Sequence, residues 1–282
     1  MTTLQETIVP SKRVRRITVL ISGSGSNLQA LLDSASTPSL PNAAITYVIS
    51  SRSAAYGLTR AKNSVPAIPT SVCALKTFLN RNQGAGREDY DCEVARQVLD
   101  SKPDLVVLAG WMHILSDRFL DILNGEKQPP QPPALPPPRP SSLPTQTEPI
   151  PSASTSSSTS TSVPKEAQGH EGNTKSLPEP PTTQTFPIPI INLHPALPGA
   201  FDGANAIGRA FEAFQTGGIQ HTGVMVHRVV AEVDRGEPLV VRNVEIKKED
   251  KLEDLENRIH EIEHQIIVEG AKLVLEELDK EA

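Results

Sequence analysis

Apolar and polar positions along the chain change period several times. The run Arg16-Ile17-Thr18-Val19-Leu20-Ile21-Ser22 is short and β-rich, Gly23-Ser24-Gly25-Ser26-Asn27 follows it directly, and Leu28, Leu31 and Leu32 then fall at helical spacing. This opening predicts a strand, a glycine-rich turn and a helix. A second strand is predicted over 44–50, and a helix over about 57–63, stopped by Pro66. The stretch 90–101 predicts a helix with Val94, Val98 and Leu99 on its apolar side. The fully apolar run 104–110 reads as a strand in the middle of a parallel sheet, covered on both faces. Further on, Ile190-Ile191-Asn192-Leu193-His194 resumes the strand pattern and Pro195, which cannot donate to a ladder, ends it. The runs 223–230 and 238–246 predict a strand pair around a loop carrying Asp234. From 251 to 278 the spacing of Leu255, Ile259, Ile262, Ile266, Val268 and Leu273 predicts a C-terminal helix docked on the sheet. Strands alternating with helices imply an α/β fold with a doubly wound, mostly parallel sheet and right-handed crossovers.

Composition interrupts this pattern once. Gln128 to Pro140 is dominated by proline and Ser152 to Ser162 is almost entirely serine and threonine. Such a stretch has too little apolar surface to offset chain entropy, which predicts a disordered insert of roughly sixty residues. The expected organisation is a lead-in over 1–13, one domain in two parts over 14–124 and 188–282, and the Pro/Ser/Thr-rich insert over 125–187. The insert reads as a surface linker away from any site, or alternatively as a Pro-rich docking segment. A net charge of -6 argues against general nucleic-acid affinity. Cys73 and Cys92 are the only cysteines and form no metal-ligand grouping, so neither a disulfide framework nor a metal is expected. The first residues lack an apolar signal core and no run reaches membrane-spanning length, so a cytoplasmic protein without a membrane partner is expected.

Candidate chemistry concentrates at the end of the 190–194 strand. Side chains alternate along a strand, so Asn192 and His194 share one face. An amide donor, a proton carrier near neutrality and a carboxylate partner in Asp234 suit acyl-group chemistry, although His194 could equally be a satisfied strand-end histidine. The turn at 23–27 lacks the third glycine of a dinucleotide fingerprint, because Leu28 stands there, and lacks the ending of a nucleotide-triphosphate loop. What remains is an anion cradle at a helix N-terminus, or a turn in which Ser26 and Asn27 merely cap the helix.

Four blocks taken together resemble a known family. Leu20-Ile21-Ser22-Gly23-Ser24-Gly25-Ser26-Asn27-Leu28-Gln29-Ala30, Val107 through Ser116, Ile191-Asn192-Leu193-His194-Pro195-Ala196-Leu197-Pro198, and His227 through Pro238 are similar to segments of the phosphoribosylglycinamide formyltransferases, in the same order. The resemblance implies the formyltransferase version of a Rossmann-like fold. It also implies transfer of a formyl group from 10-formyltetrahydrofolate to the amine of 5-phosphoribosylglycinamide in purine synthesis, with no metal. By the same resemblance, Asn192 holds the oxygen of the tetrahedral intermediate and His194 moves protons. Asp234 holds the imidazole and raises its pKa. Gly25, Ser26, Asn27 and Glu263 contact the phosphoribosyl substrate. Arg87, Met112, His113, Ile114 and Leu115, together with Asn192 and Val230, Ala231, Glu232, Val233 and Asp234, line the folate pocket. The chain departs from the pattern at His113, where bacterial members usually carry arginine, and over Pro198–Gly203. Whether the molecule is a monomer or a homodimer is open.

Other folate formyl enzymes, a 10-formyltetrahydrofolate hydrolase or a methionyl-tRNA formyltransferase, share the trio and differ in appended domains. A scaffold acting through the insert is a rival of another class. A nicotinamide dehydrogenase is disfavoured by the missing glycine and by Ser50-Ser51-Arg52 where an acidic residue would close the second strand.

Overall fold

A computed structural model of the protein describes residues 13–130 and 176–281. In chain order the elements are β1 (Arg15–Ile21), α1 (Ser26–Ser34), β2 (Ala43–Ser50), α2 (Gly57–Asn63), β3 (Thr70–Val72), α3 (Leu75–Arg81), α4 (Arg87–Asp100), β4 (Leu105–Leu108), α5 (Asp117–Leu123), β5 (Ile190–His194), α6 (Ala206–Gln215), β6 (His221–Arg228), β7 (Pro238–Glu245) and α7 (Leu252–Glu281). The strands form one seven-stranded sheet in the order β3-β2-β1-β4-β5-β6-β7. The pairs from β3 to β5 are parallel, and β5-β6 and β6-β7 are antiparallel. Strand alternation splits the core between the two faces. Ile17, Val19, Ile21, Leu105 and Val107 pack under α1, α2, α6 and α7. Leu20, Val106 and Leu108 pack under α3, α4 and α5 with Tyr90 and Phe119. Successive strand residues facing opposite apolar layers explain why β4 and the end of β1, Val19, Leu20 and Ile21, read as unbroken hydrophobic runs.

Chain order reverses between β1 and β4. There the loops leaving the carboxyl ends of the two strands diverge and open a crevice, the usual ligand position in such sheets.

The predicted strands and long helices form with bounds shifted by a few residues. Four elements were not anticipated. β3 is only three residues long, too short for a period, and α3 has no fully buried residue. α6 buries Ala206, Gly208 and Ala210, and its larger apolar residues Ile207, Phe211 and Phe214 pack against the core only partly buried. α5 lies just before the change of composition and buries Phe119, Ile122 and Leu123. On α7 the expected position Leu273 is 37% exposed, and Val274 and Leu275 fill the core instead. The buried face there follows Ile259, Glu263, Ile266, Ile267, Gly270, Ala271 and Val274, which keeps the helical period that Leu273 breaks.

Ordered structure extends into the span assigned to the insert. Leu177 packs against the core, Arg16 Nη1 donates to the Pro178 carbonyl, Lys102 Nζ to Pro181 O at 3.0 Å, and Gln184 Nε2 to Pro103 O at 2.8 Å. Prolines lack an N–H but keep their carbonyls, so a Pro-rich strip can accept from side chains at this end of the sheet. The expectation of disorder over 131–175 lies outside the described residues. Among the described residues no helix is long and apolar enough to cross a membrane.

Candidate active site

The carboxyl ends of β1, β4 and β5 open into a cavity of about 480 Å³. One wall is the turn Gly23–Asn27. The others are the loop from Leu108 to Leu115, the strand end Asn192–Pro195, residues Gly203–Ala206, His227, the loop Val229–Asp234, and His260 with Glu263 on α7. Every residue that the resemblance assigned to a substrate or to catalysis lines this cavity except Arg87.

The turn takes its shape from glycine. Gly25 has φ +71°, and a Cβ there would stand 2.5 Å from Gly57 Cα, so the turn and the start of α2 are in backbone contact. α1 begins at Ser26 with no side-chain cap, so the capping role open to Ser26 and Asn27 is not taken. The amides of its first turn therefore have no intrahelical partner and point where an anion would sit. Asn27 reaches across instead: its Nδ2 donates to Glu263 Oε2 at 3.2 Å, while its Oδ1 is buried without a partner among the described residues. Two residues 236 positions apart, both assigned to the substrate by the resemblance, are thus joined side by side. Burial pushes the Glu263 carboxyl up, partly opposed by the Asn27 amide and the charge of His260.

On the opposite wall, Asp234 stands between two imidazoles. His194 Nδ1 lies 3.3 Å from Asp234 Oδ2, and His227 Nε2 lies 3.4 Å from Asp234 Oδ1. The Gly203 amide donates to Asp234 Oδ2 at 2.8 Å. Asp234 itself has φ +55°, a left-handed backbone that Asp tolerates better than most residues. Burial alone would raise its carboxyl, but hydrogen bonds from His227 and Gly203 and the charges of both histidines carry it down to about 2.

For His194 the outcome differs from the expectation. Burial lowers the imidazole, and this outweighs the upward pull of Asp234 and of the Ala200 backbone, so its pKa lies below the ordinary value. The expected rise does not occur, because the ring is only 3% exposed and desolvation of the charged form dominates. Nδ1 faces the carboxylate and therefore carries the proton. Nε2 is buried with no partner among the described residues, which leaves its lone pair free.

Asn192 is more heavily engaged than sequence reasoning anticipated. Its Nδ2 donates to Asp234 Oδ1 at 3.1 Å and lies 3.2 Å from His227 Nε2. His227 Nδ1 is 2.8 Å from the Arg228 carbonyl and must donate to it. With a neutral His227 ring, Nε2 accepts from Asn192 and both amide hydrogens are used. With a protonated ring, Nε2 donates to Asp234 and one amide hydrogen of Asn192 becomes free. His227 was not singled out from sequence; only strand register, which pairs it with Asn192, reveals it. His260 was also missed, and its signal was its place one turn before Glu263.

Arg87 holds the loop after β4 rather than lining the cavity. Its Nε donates to the buried Asp91 at 3.0 Å and its Nη2 to the Ile114 carbonyl, while Asp91 Oδ2 accepts the Ser116 amide at 3.2 Å. His113 packs edge-on between Tyr90 and Trp111, at 5.6 and 5.5 Å. Burial and the charge of Arg87 lower its imidazole. Met112, Ile114, Val230 and Val233 expose apolar side chains on the two loops at the cavity mouth.

Comparison with known proteins agrees with this arrangement. The model of the formyl transferase family matches residues 15–127 and 174–270. The chain is 39% identical over 264 residues to phosphoribosylglycinamide formyltransferase of Schizosaccharomyces pombe, covering 93% of this chain and 98% of that protein. It is 37% identical to the Saccharomyces cerevisiae enzyme of the same name, over 94% of this chain and 99% of that protein. A solved structure of glycinamide ribonucleotide transformylase 1 from Symbiobacterium toebii superposes with a TM-score of 0.61 at 27% identity, covering 92% of this chain and 87% of that one.

Proposed function

The chain belongs to the formyl transferase family, and from that premise we propose that it transfers the formyl group of 10-formyltetrahydrofolate to the amine of 5-phosphoribosylglycinamide, a step of de novo purine synthesis. The observation that carries this reading is one cavity with an anion turn on one wall and Asn192, His194 and Asp234 on another. The turn suits a sugar phosphate, through α1 amides and the Asn27–Glu263 pair. The apolar side chains at the mouth suit a flat heterocycle, so the residues present fit a reduced folate.

When bound, 10-formyltetrahydrofolate supplies an electrophilic formyl carbon, and the glycinamide amine attacks it directly. His194 is held neutral by burial and offers Nε2 as the base that accepts a proton from the attacking amine. The same nitrogen then returns a proton to the leaving folate nitrogen. Asp234 fixes the Nδ1–H tautomer and offsets the charge His194 acquires. Asn192 donates to the formyl oxygen with the hydrogen that it releases from His227. Positioning and these donors supply the rate without a covalent nucleophile.

The substrates are small molecules, and the net charge of -6 speaks against a nucleic-acid partner. Both cysteines are buried free thiols, which fits the reducing cytoplasm. A spectroscopic assay of folate release, run with and without phosphoribosylglycinamide, tests the function. Release that requires the acceptor is expected; release in its absence identifies a hydrolase, and no release with either overturns the reading.

A further inference from the structure

Ser22 directly follows β1 and Ser51 directly follows β2, and both are buried. The Ser51 hydroxyl donates to Ser22 Oγ at 2.6 Å, and the Met112 amide donates to the same oxygen at 3.0 Å. These bonds run across three neighbouring strand ends, from β2 through β1 to the loop after β4. They lie just past the last backbone bonds there, Ser51 N to Ile21 O at 3.0 Å and Ala109 N to Leu20 O at 2.9 Å. Beyond Ala109 no backbone bond joins the β1 turn to the β4 loop among the described residues. This is also where strand order reverses and the two loops part. One hydroxyl oxygen therefore spans the crevice floor between the anion turn and the folate-side loop.

The two sides of this link are held unequally. The turn has independent ties, because Gly57 N donates to Gly23 O at 3.2 Å and Arg60 Nε to Ser24 O at 2.9 Å. The loop is tied towards its far end by Arg87 to the Ile114 carbonyl and by Asp91 to the Ser116 amide, and at its near end, at Met112, by Ser22 to the amide. Removing the Ser22 oxygen would strand the Met112 amide and the Ser51 hydroxyl without their partner. The loop, not the turn, would then loosen.

We propose that Ser22 is a positioning residue that sets the spacing between loop 110–115 and turn 23–27, and so aligns the two co-substrates for transfer. This rests on the proposed function, and its test includes a readout that does not. In Ser22→Ala the KM for 10-formyltetrahydrofolate is expected to rise about five- to tenfold, the range of one lost hydrogen bond. The KM for phosphoribosylglycinamide stays within about twofold, because the turn keeps its other ties. Amide hydrogen exchange, followed by mass spectrometry, quickens over 110–115 and is unchanged over 23–27. Ser51→Ala leaves the Met112 bond in place and shows the same changes at smaller size; it carries the test if Ser22→Ala does not fold. Unchanged exchange over 110–115 overturns the proposal, as does an equal rise in both KM values. A wild-type protein that releases no folate in response to the acceptor overturns the functional reading alone, and exchange still decides whether Ser22 tethers the loop.

Discussion

At the scale of single residues, burial and charge compete for the His194 proton. Desolvation favours the neutral ring, Asp234 favours the charged one, and the first wins. His194→Ala is expected to lower kcat by about 10² to 10⁴, the usual span for a general acid–base group, with near-UV circular dichroism unchanged. Asp234→Asn removes the upward pull on an imidazole that already lies low. The acid limb of the kcat/KM profile should therefore move to lower pH beneath a reduced plateau, and a pH series of initial rates checks it. The same carboxylate has a consequence for stability. Its folded pKa of about 2 lies below the unfolded value of about 3.9, so its stabilisation is present above that value and lost as pH falls towards 2. His194 acts in the same direction nearer neutrality: below about 6.5 the unfolded chain binds a proton that the folded ring resists. Urea midpoints measured across this range should fall with acid, and less steeply between pH 4 and 2 in Asp234→Asn. Asn192, His194 and Asp234 were legible as residue types. That His194 is shifted down rather than up was not, because desolvation depends on which elements close over the ring.

At the scale of elements, the loop between β6 and β7 presents Asp234, and one glycine permits its path. A Cβ on Gly236 would stand 1.7 Å from the Arg228 carbonyl oxygen, a backbone atom that cannot swing aside. Gly236→Ala should cost about 3 kcal/mol of stability, at the upper end of overpacking effects, and should abolish turnover because Asp234 moves with the loop. Urea denaturation and steady-state kinetics on the same preparation separate the two losses. The sequence marked this loop by its place between two β-rich runs, and marked the turn at 23–27 by its glycines. It did not mark Arg87 as a brace: the resemblance placed Arg87 at the folate pocket, and only the fold brings the Ile114 carbonyl onto it.

At the scale of the whole molecule, the family match stops at 127 and resumes at 174, leaving the Pro/Ser/Thr-rich span between the two parts unmatched. Replacing residues 131–174 by a short Gly/Ser link should leave acceptor-dependent folate release within about twofold of the full chain, because loop-closure entropy changes slowly with length. Loss of activity would favour a function within that span. Extending the deletion through 187 should instead lower stability, because Pro178, Pro181 and Gln184 bond to Arg16 on β1 and to Lys102 and Pro103 just before β4. The α/β class, the strand ends and the residue types of the trio follow from the sequence itself, because periodicity of two or 3.6 and the chemistry of side chains are local properties. Which distant groups meet was decided by tertiary structure alone. Asn27 finds Glu263, Asn192 finds His227, and Ser22 catches the Met112 amide only through strand order and register. The proton on His194 belongs to the same category, since its balance is set by how much water the packed elements exclude.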